Sequence, residues 1–547
     1  MIKDELAKLV EQALIEAQEK KLIPVVAMPE VIIERPQNPE HGDYACAVAL
    51  KLARLTKMNP MQIGEHIAGL IQCPPGCEKV DLVPPGFINF SLTEGWLMDQ
   101  VSAILGAGDA FGNIEAGKGR KVQVEFVSVN PTGPLHVGHG RGAVLGSALA
   151  NILAAAGYSV EREYYVNDAG NQINLFHRSL YARYCRELGR DESMPEGGYM
   201  GDYMIDIAKD IVKKNKDKYL DKPEELGRLG MDMVIESIKA DLERLGVTFD
   251  VWFSEKSLYA GKQYKTAMKL LKDGGVIVEK EGALWFASTN LGEDKDNVLV
   301  RSDGSPTYFA SDVAYHYNKF VERKFDRVIN IWGADHQGHV SRMKAVVGAL
   351  DIDPDRLEII ISQMVTLKRG DTVVRASKRT GEMITLRELM DEVGPDACRF
   401  FFLSRSADSQ MDFDMELAKK QSAENPVYYV QYAHARICSI LRKAKDEGIK
   451  FGKADTSLLT SEPEIELIRK MLELPEVIEQ TSKTLEPHHL PHYSMDLATV
   501  FHNFYEQCRV VTDDKEMTKA RLQLVDASRV VLARVLRLME MAAPEKM

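Results

Sequence analysis

Three features of this sequence predict an α/β protein. Its parallel-sheet domain would lie between a small N-terminal α/β domain and a C-terminal all-α helical bundle. Short, apolar, β-branched runs at Val122–Val129, Arg327–Gly333 and Ile359–Val365 read as strands buried on both faces, the pattern of a parallel sheet. The first run leads through a loop punctuated by proline and glycine into a helical period. That order is how such sheets offer a nucleotide site at the carboxyl ends of their strands. From Asp396 onward helical periods dominate and glycine becomes scarce.

The loop after the first run is Asn130-Pro131-Thr132-Gly133-Pro134-Leu135, followed by His136-Val137-Gly138-His139-Gly140. Apolar Val144, Leu145, Ala148, Leu149, Ile152 and Leu153 then share one helix face, and Gly157 is placed to end it. The free N–H groups and partial positive charge of a helix start attract phosphate. His136 and His139 are neighbours on the first turn, and Gly138 leaves room for a flat base against the backbone. Two other readings stand beside this one. The histidines could merely cap a buried helix. Alternatively, Gly138-x-Gly140-x-x-Ala143 fits a dinucleotide fingerprint, with Glu161 near the position of a ribose-binding acid. Eight residues between Val129 and Gly138 oppose that fingerprint, which follows its strand almost at once.

A chain of 547 residues is long for one core and divides into domains. A hydrophobic content of 45% with 27% charged residues describes an ordinary soluble protein. Met1-Ile-Lys-Asp-Glu-Leu starts a polar amphipathic helix without signal-peptide features, and no apolar run is long enough to span a bilayer. Seven scattered cysteines, none in a Cys-x-x-Cys, predict reduced thiols in a cytoplasmic protein. Cys73 and Cys77 lack the second pair that a zinc site needs, so no protein-bound zinc or other metal is expected. The net charge of −12 argues against a general nucleic-acid binder and leaves room for a local basic face. Neither DNA nor a membrane is expected as a partner.

Residues 1–110 read as the N-terminal domain, with helical period over 3–20 and strand-like alternation in Phe87–Leu92. Phe87 and Asn89 share one face of that strand, an aromatic beside an amide suited to an unpaired base. The plainer reading is an edge strand. Gly112-x-x-x-x-Gly117-Lys118 nearly matches a P-loop, but Gly119 replaces the magnesium-binding hydroxyl and a strand follows, so the stretch is a linker. The sheet domain spans 120–395 with a largely helical insertion at 170–280, and 396–547 is the bundle.

Pro131-x-x-x-x-His136-Val137-Gly138-His139 resembles the HIGH signature of class I aminoacyl-tRNA synthetases. Further matches follow in the family's order. Gly333-Ala-Asp335-His-Gln337 is similar to its ribose-binding turn. Arg375-Ala376-Ser377-Lys378-Arg379 resembles a KMSKS loop with arginine and alanine in the first two places. Asp396-Ala-Cys398-Arg399 resembles the DALR signature, with cysteine for leucine. Glu125–Pro131, Pro85–Phe90, Asn425–Arg436 and the terminal Ala543–Met547 resemble arginyl-tRNA synthetases in particular. Essentially the whole chain is covered.

This resemblance implies a Rossmann-type catalytic domain between a tRNA-elbow-binding domain and an anticodon-binding domain. Its substrates would be L-arginine, ATP with Mg2+, and tRNA(Arg), and the enzyme would be a cytoplasmic monomer. By resemblance, His136, His139 and Lys378 are catalytic. Pro131, Thr132, Gly133, Gly138, Gly333, Asp335, Gln337 and Ser377 join them in holding ATP. Glu125, Ser128, Asn130, Tyr308 and Asp312 hold arginine, and Phe87, Asn89, Tyr432 and Arg436 contact tRNA. The family also implies that activation itself requires tRNA.

The chemistry agrees with these residue types. The attacking carboxylate is already ionised, so positioning and positive charge against the phosphates are needed rather than a base. A guanidinium group calls for carboxylates and planar acceptors, and Tyr308 and Asp312 lie four apart on one helix. Tyr428, Tyr429, Tyr432, His434, Arg436, Arg442 and Lys443 interleave rings and cations in one helical segment; some of the tyrosines are core and which ones stays open. Arg521, Arg529, Arg534 and Arg537 offer a second basic series for phosphates. The alternatives are a synthetase of another specificity, a nucleotidyltransferase, and an inactive tRNA-binding relative. Intact His136, His139 and Lys378 favour the enzyme.

Overall fold

The computed structural model describes residues 2–374 and 383–547. They form two compact units, each built from several stretches of chain. The first combines Met1–Gly108 with 440–472 and 500–530. Its four-stranded antiparallel sheet runs in the order Ile33–Glu34, Tyr44–Cys46, Phe87–Leu92, Cys77–Val83. The helix Ile2–Glu19 buries Leu6, Val10, Ala13, Leu14 and Ala17, the spacing of one apolar stripe.

Phe87–Leu92 has a neighbour on each side and is not an edge strand. The expectation for Asn89 is corrected here: it is 3% exposed and its Nδ2 donates to the His41 carbonyl at 2.9 Å. A central strand backed by helices buries more of its residues than simple alternation suggests, and the Nδ2 group of this amide is engaged inside the unit. Asn89→Ala is expected to orphan that carbonyl and to cost about 1–3 kcal/mol. A lower urea midpoint at unchanged slope checks it.

The second unit combines 109–439 with 473–499 and 531–547. A five-stranded sheet organises it, in the order Leu357–Ser362, Arg327–Gly333, Lys121–Glu125, Ser159–Val166, Val251–Ser254, with every pair parallel. The chain enters at the middle, steps outward to Val251–Ser254, and returns on the other side at Arg327–Gly333. Strand order therefore reverses between Lys121–Glu125 and Arg327–Gly333, and a crevice opens outside their carboxyl ends. The helix Val137–Ala155 is buried along most of its length. Gly146 lets it approach the sheet, since a Cβ there would sit 2.2 Å from the Phe126 ring.

Three expectations change. The first strand ends at Glu125 rather than Val129, because Val127 and Ser128 turn the chain in the left-handed region at φ +68° and +43°. A β-branched residue held there is strained, as backbones at functional sites often are. Within the expected helical insertion, Asn171–Glu187, Asp202–Asn215 and Pro223–Arg244 are helices, but Val251–Ser254 is the edge strand of the main sheet. Its Trp252 stacks on Tyr164 with ring centroids 4.3 Å apart. The C-terminal stretch is mostly helical but not all-α. Met411–Asp414 pairs in parallel with Val365–Arg369, burying Met411 and Phe413. No helix among the described residues is long and apolar enough to cross a membrane.

The DALR-like residues act as clamps. Arg399 is fully buried and donates to the Met539 carbonyl, to the Leu245 carbonyl at 2.9 Å and to Ser147 Oγ at 3.0 Å. Asp396 accepts from Gln431 Nε2 at 2.7 Å and from the Ala542 amide at 3.2 Å. Arg399→Leu strands three acceptors, so a stability loss of at least about 3 kcal/mol is expected. Denaturant unfolding of the variant beside the parent checks it.

Candidate active site

His136 caps the helix Val137–Ala155 in an extended conformation. Its Nδ1 accepts from the Gly138 amide at 3.1 Å, and His139 Nδ1 accepts from the His136 amide at 3.2 Å. The two rings stack with centroids 3.4 Å apart. A backbone amide only donates, so each Nδ1 is bare and a neutral ring carries its proton on Nε2. Burial lowers the pKa of His136, against the opposing charge of Asp335, and pushes His139 down to about 3 with His136 adding. Both rings are therefore neutral at pH 7. The pair supplies two N–H donors, and the positive charge at this spot comes from the helix start. Gly138 allows the fold-back, because a Cβ there would lie 3.1 Å from His136 Cε1.

The loop before His136 is pinned from both sides. Tyr203 donates to the Thr132 carbonyl, and the Leu386 amide donates to the Leu135 carbonyl at 2.8 Å. His136 also bridges Thr385 in antiparallel fashion. Across the crevice, Arg327–Gly333 runs into a 3-10 turn, Ala334–His339, on which Asp335 and Gln337 are exposed. Pro131, Thr132, Gly133, His136, Gly138, His139, Gly333, Asp335 and Gln337 thus border the two strands at which the order reverses. Ser377 and Lys378, with the rest of 375–382, lie outside the described residues.

A cavity of about 170 Å³ has a lining that includes Gly170, Glu255, Tyr259, Arg301, Tyr308 and Ser311. Tyr308 stands at its rim, 50% exposed. Glu255 is buried and accepts from Ser311 Oγ at 2.7 Å; burial raises its pKa. Asp312 is raised to about 7 by burial first and then by Glu125 and Glu255, with Arg342 and Lys319 opposing. Three carboxyl groups therefore share one electrostatic neighbourhood. Ser128 Oγ donates to Glu125 Oε1 at 3.0 Å and accepts from the Tyr165 amide at 3.1 Å. Asn130 donates to Gln172 Oε1. Glu255, in the cavity lining with Arg301 and the Tyr308 ring, belongs to an acid cluster of a kind that suits a planar cation.

Sequence reasoning alone does not single out Glu255. It directly follows Val251–Ser254, at the carboxyl end of a parallel strand where ligands bind, but that strand is too short to be read.

The same residues can be set against known proteins. The model of the arginyl-tRNA synthetase N-terminal domain matches residues 4–92, that of the class I (R) tRNA synthetase catalytic domain matches 100–437, and that of the DALR anticodon-binding domain matches 430–547. A curated relative from Dehalococcoides mccartyi, named Arginine–tRNA ligase, is 58% identical over 551 residues, covering 100% of this chain and 99% of its own. The chain belongs to the arginyl-tRNA synthetase family. Another family member, from Heliobacterium modesticaldum and of the same name, is 49% identical over 100% of this chain and 99% of its own. The solved arginyl-tRNA synthetase of Thermus thermophilus shares the fold of this family member at a TM-score of 0.79 and 22% identity, covering 100% of both chains.

In the helix Pro426–Asp446, Tyr428 stacks on Tyr432 at 5.8 Å and the Arg436 guanidinium lies over the Tyr432 ring at 4.9 Å. His434 is buried, with Nδ1 2.9 Å from the Pro544 carbonyl, and belongs to the core. The second basic series is already engaged within the chain. Arg521 pairs with Glu464, Arg529 with Asp526 and Arg537 with Asp109, while Arg534 donates to Asn113 Oδ1 at 2.7 Å. Among the described residues, one group could offer metal ligands: Glu486, His488 and His489, whose donor atoms lie within 4.8 Å of one another.

Proposed function

We propose that this chain activates L-arginine with ATP to arginyl-adenylate and transfers it to the 3′ end of tRNA(Arg), giving arginyl-tRNA and AMP. The observation that carries the reading is the buried acid cluster of Glu125, Glu255 and Asp312, together with the neutral histidine pair at a helix start. Arginine enters with its side chain among the carboxylates, held also by Glu125, Ser128 and Asn130. Its own carboxylate attacks the α-phosphorus; the new O–P bond forms as the bond to the β-phosphate oxygen breaks, and pyrophosphate leaves. His136 and His139 donate from Nε2 to phosphate oxygens as their charge grows. Asp335 and Gln337 hold the ribose, and ATP arrives as its Mg2+ complex. A hydroxyl of the tRNA 3′-terminal ribose then attacks the carbonyl carbon, and AMP departs.

The assignment of roles follows the chain. Residues 1–110 take the tRNA elbow, where Phe87 offers a ring; 120–395 carry the chemistry; 396–547 take the anticodon, where Tyr432 and Arg436 present a ring and a cation. By the family resemblance, Ser377 and Lys378 act on the phosphates. The protein acts as a cytoplasmic monomer. Arginine-dependent ATP–pyrophosphate exchange tests the function, and its absence with all substrates present would refute it. Exchange is expected to need cognate tRNA, because tRNA binding favours the conformer competent for activation. Equal exchange without tRNA would remove that dependence and leave the ligase reading standing.

A further inference from the structure

Three polar side chains, Lys319, Asn330 and His316, run from the Glu125 carboxylate to the main-chain carbonyl of Asp312, and all four side chains are almost without solvent access. Lys319 and Asn330 are 0% exposed, His316 2% and Glu125 7%. The direction of each bond can be worked out. His316 Nδ1 lies 2.8 Å from the Asp312 carbonyl, which only accepts, so Nδ1 carries the proton. Burial pushes His316 down to about 3, so the ring is neutral and its Nε2 accepts from Asn330 Nδ2 at 3.1 Å. That turns Asn330 Oδ1 toward Lys319 Nζ, 2.9 Å away, and Lys319 Nζ donates to Glu125 Oε2 at 2.5 Å. The other Glu125 oxygen takes Ser128 Oγ.

Lys319 lies in a π-helical turn, Asn318–Glu322, directly after the helix Tyr308–Tyr317 that carries Asp312. Such turns are rare and concentrate at functional sites. Burying an ion pair is costly, and apolar side chains of the same volume commonly serve stability as well or better. The charge at Lys319 therefore calls for a reason other than packing. Glu125 and Glu255 favour the protonated form of Asp312, whereas Arg342 and Lys319 favour its charged form. A fixed cation among three acids lets them crowd together while leaving net negative charge for a cationic substrate.

We propose that Lys319 is a positioning residue for arginine activation: its buried ammonium fixes the Glu125 carboxylate and, through Asn330 and His316, the helix turn that presents Asp312. The proposal rests on the reading that Glu125 and Asp312 hold the arginine. Lys319 touches neither substrate nor ATP; it acts through Glu125.

The test uses the full chain with tRNA present, measuring pyrophosphate exchange for Lys319→Met, Lys319→Gln and Glu125→Gln between pH 6 and 9. Lys319→Met should lower kcat/KM for arginine roughly 10²-fold while KM for ATP stays within about 2-fold. The acid limb that Asp312 sets should move to higher pH, because a cation opposing its protonation is gone. Lys319→Gln keeps a donor without the charge, should show a smaller arginine loss with the same shift, and carries the comparison if Lys319→Met fails to fold. Unchanged arginine kinetics in a folded Lys319 variant would overturn the proposal, as would equal losses for arginine and ATP with an unmoved pH profile. Unchanged arginine kinetics in Glu125→Gln would instead overturn the arginine contact on which the proposal stands.

Discussion

Asp312→Ala is expected to lower kcat/KM for arginine by about 10²- to 10³·⁶-fold, the equivalent of 3–5 kcal/mol for stripping one partner from a buried ion pair. The bound guanidinium would then sit desolvated beside a missing carboxylate. On the proposed assignment ATP is held elsewhere, at the histidine pair and Asp335, so its KM should hardly move. Asp312→Glu should suffer as well, since a fork contact tolerates little displacement. Should both KM values rise together, Asp312 is supporting the fold and the pocket lies elsewhere. The carboxyl also predicts a pH profile. Held near 7 by burial and by Glu125 and Glu255, it is mostly protonated at pH 6 and ionised at pH 8. Arginine kcat/KM should therefore rise across that interval and flatten above it, and Asp312→Asn should abolish the limb. The stability sign runs the other way. A carboxyl raised from 3.8 to about 7 keeps its proton in the folded state where the unfolded chain has lost it. The folded state therefore loses stability as pH rises from about 4 through about 7, and bound arginine should restore it most strongly at the alkaline end.

What could be read in the sequence was what lies close along the chain. His136 and His139 are three apart, and the strand, loop and helix that present them are consecutive, so the proposed phosphate end of the site is visible without the fold. Tyr308 and Asp312 are visible for the same reason, a helix turn apart. Glu255 is hidden because its position depends on Val251–Ser254 joining a sheet whose order no local pattern encodes. Lys319 is hidden because its partner, Glu125, is 194 residues away. The charge states are also out of reach. The reaction calls for positive charge against the phosphates, whereas burial holds both histidines neutral. Arg521 and Arg537 look available for RNA because their carboxylate partners, Glu464 and Asp109, lie far away in sequence.

The histidine pair allows capping and chemistry to be separated by one substitution. In His136, Nδ1 caps the helix and Nε2 carries the remaining N–H. Asparagine is among the best residues at an N-cap, and its Oδ1 can accept from the Gly138 amide as Nδ1 does. It has no donor at the position of Nε2. His136→Asn should therefore keep the stability of the parent while lowering adenylate formation at least 10²-fold, comparable to the roughly 2.7–4 kcal/mol for removing one oxyanion-hole donor. His136→Ala loses both functions and should add about 1 kcal/mol of instability to the same kinetic loss. His139→Ala should match the kinetic loss, since its Nδ1 and Nε2 divide the same two duties. Binding of tRNA should stay nearly intact in all three. Single-turnover adenylate formation paired with a denaturant melt measures both quantities on each variant. If His136→Asn forms adenylate at the parent rate, the Nε2 donor plays no part in the reaction and the ring is a cap alone.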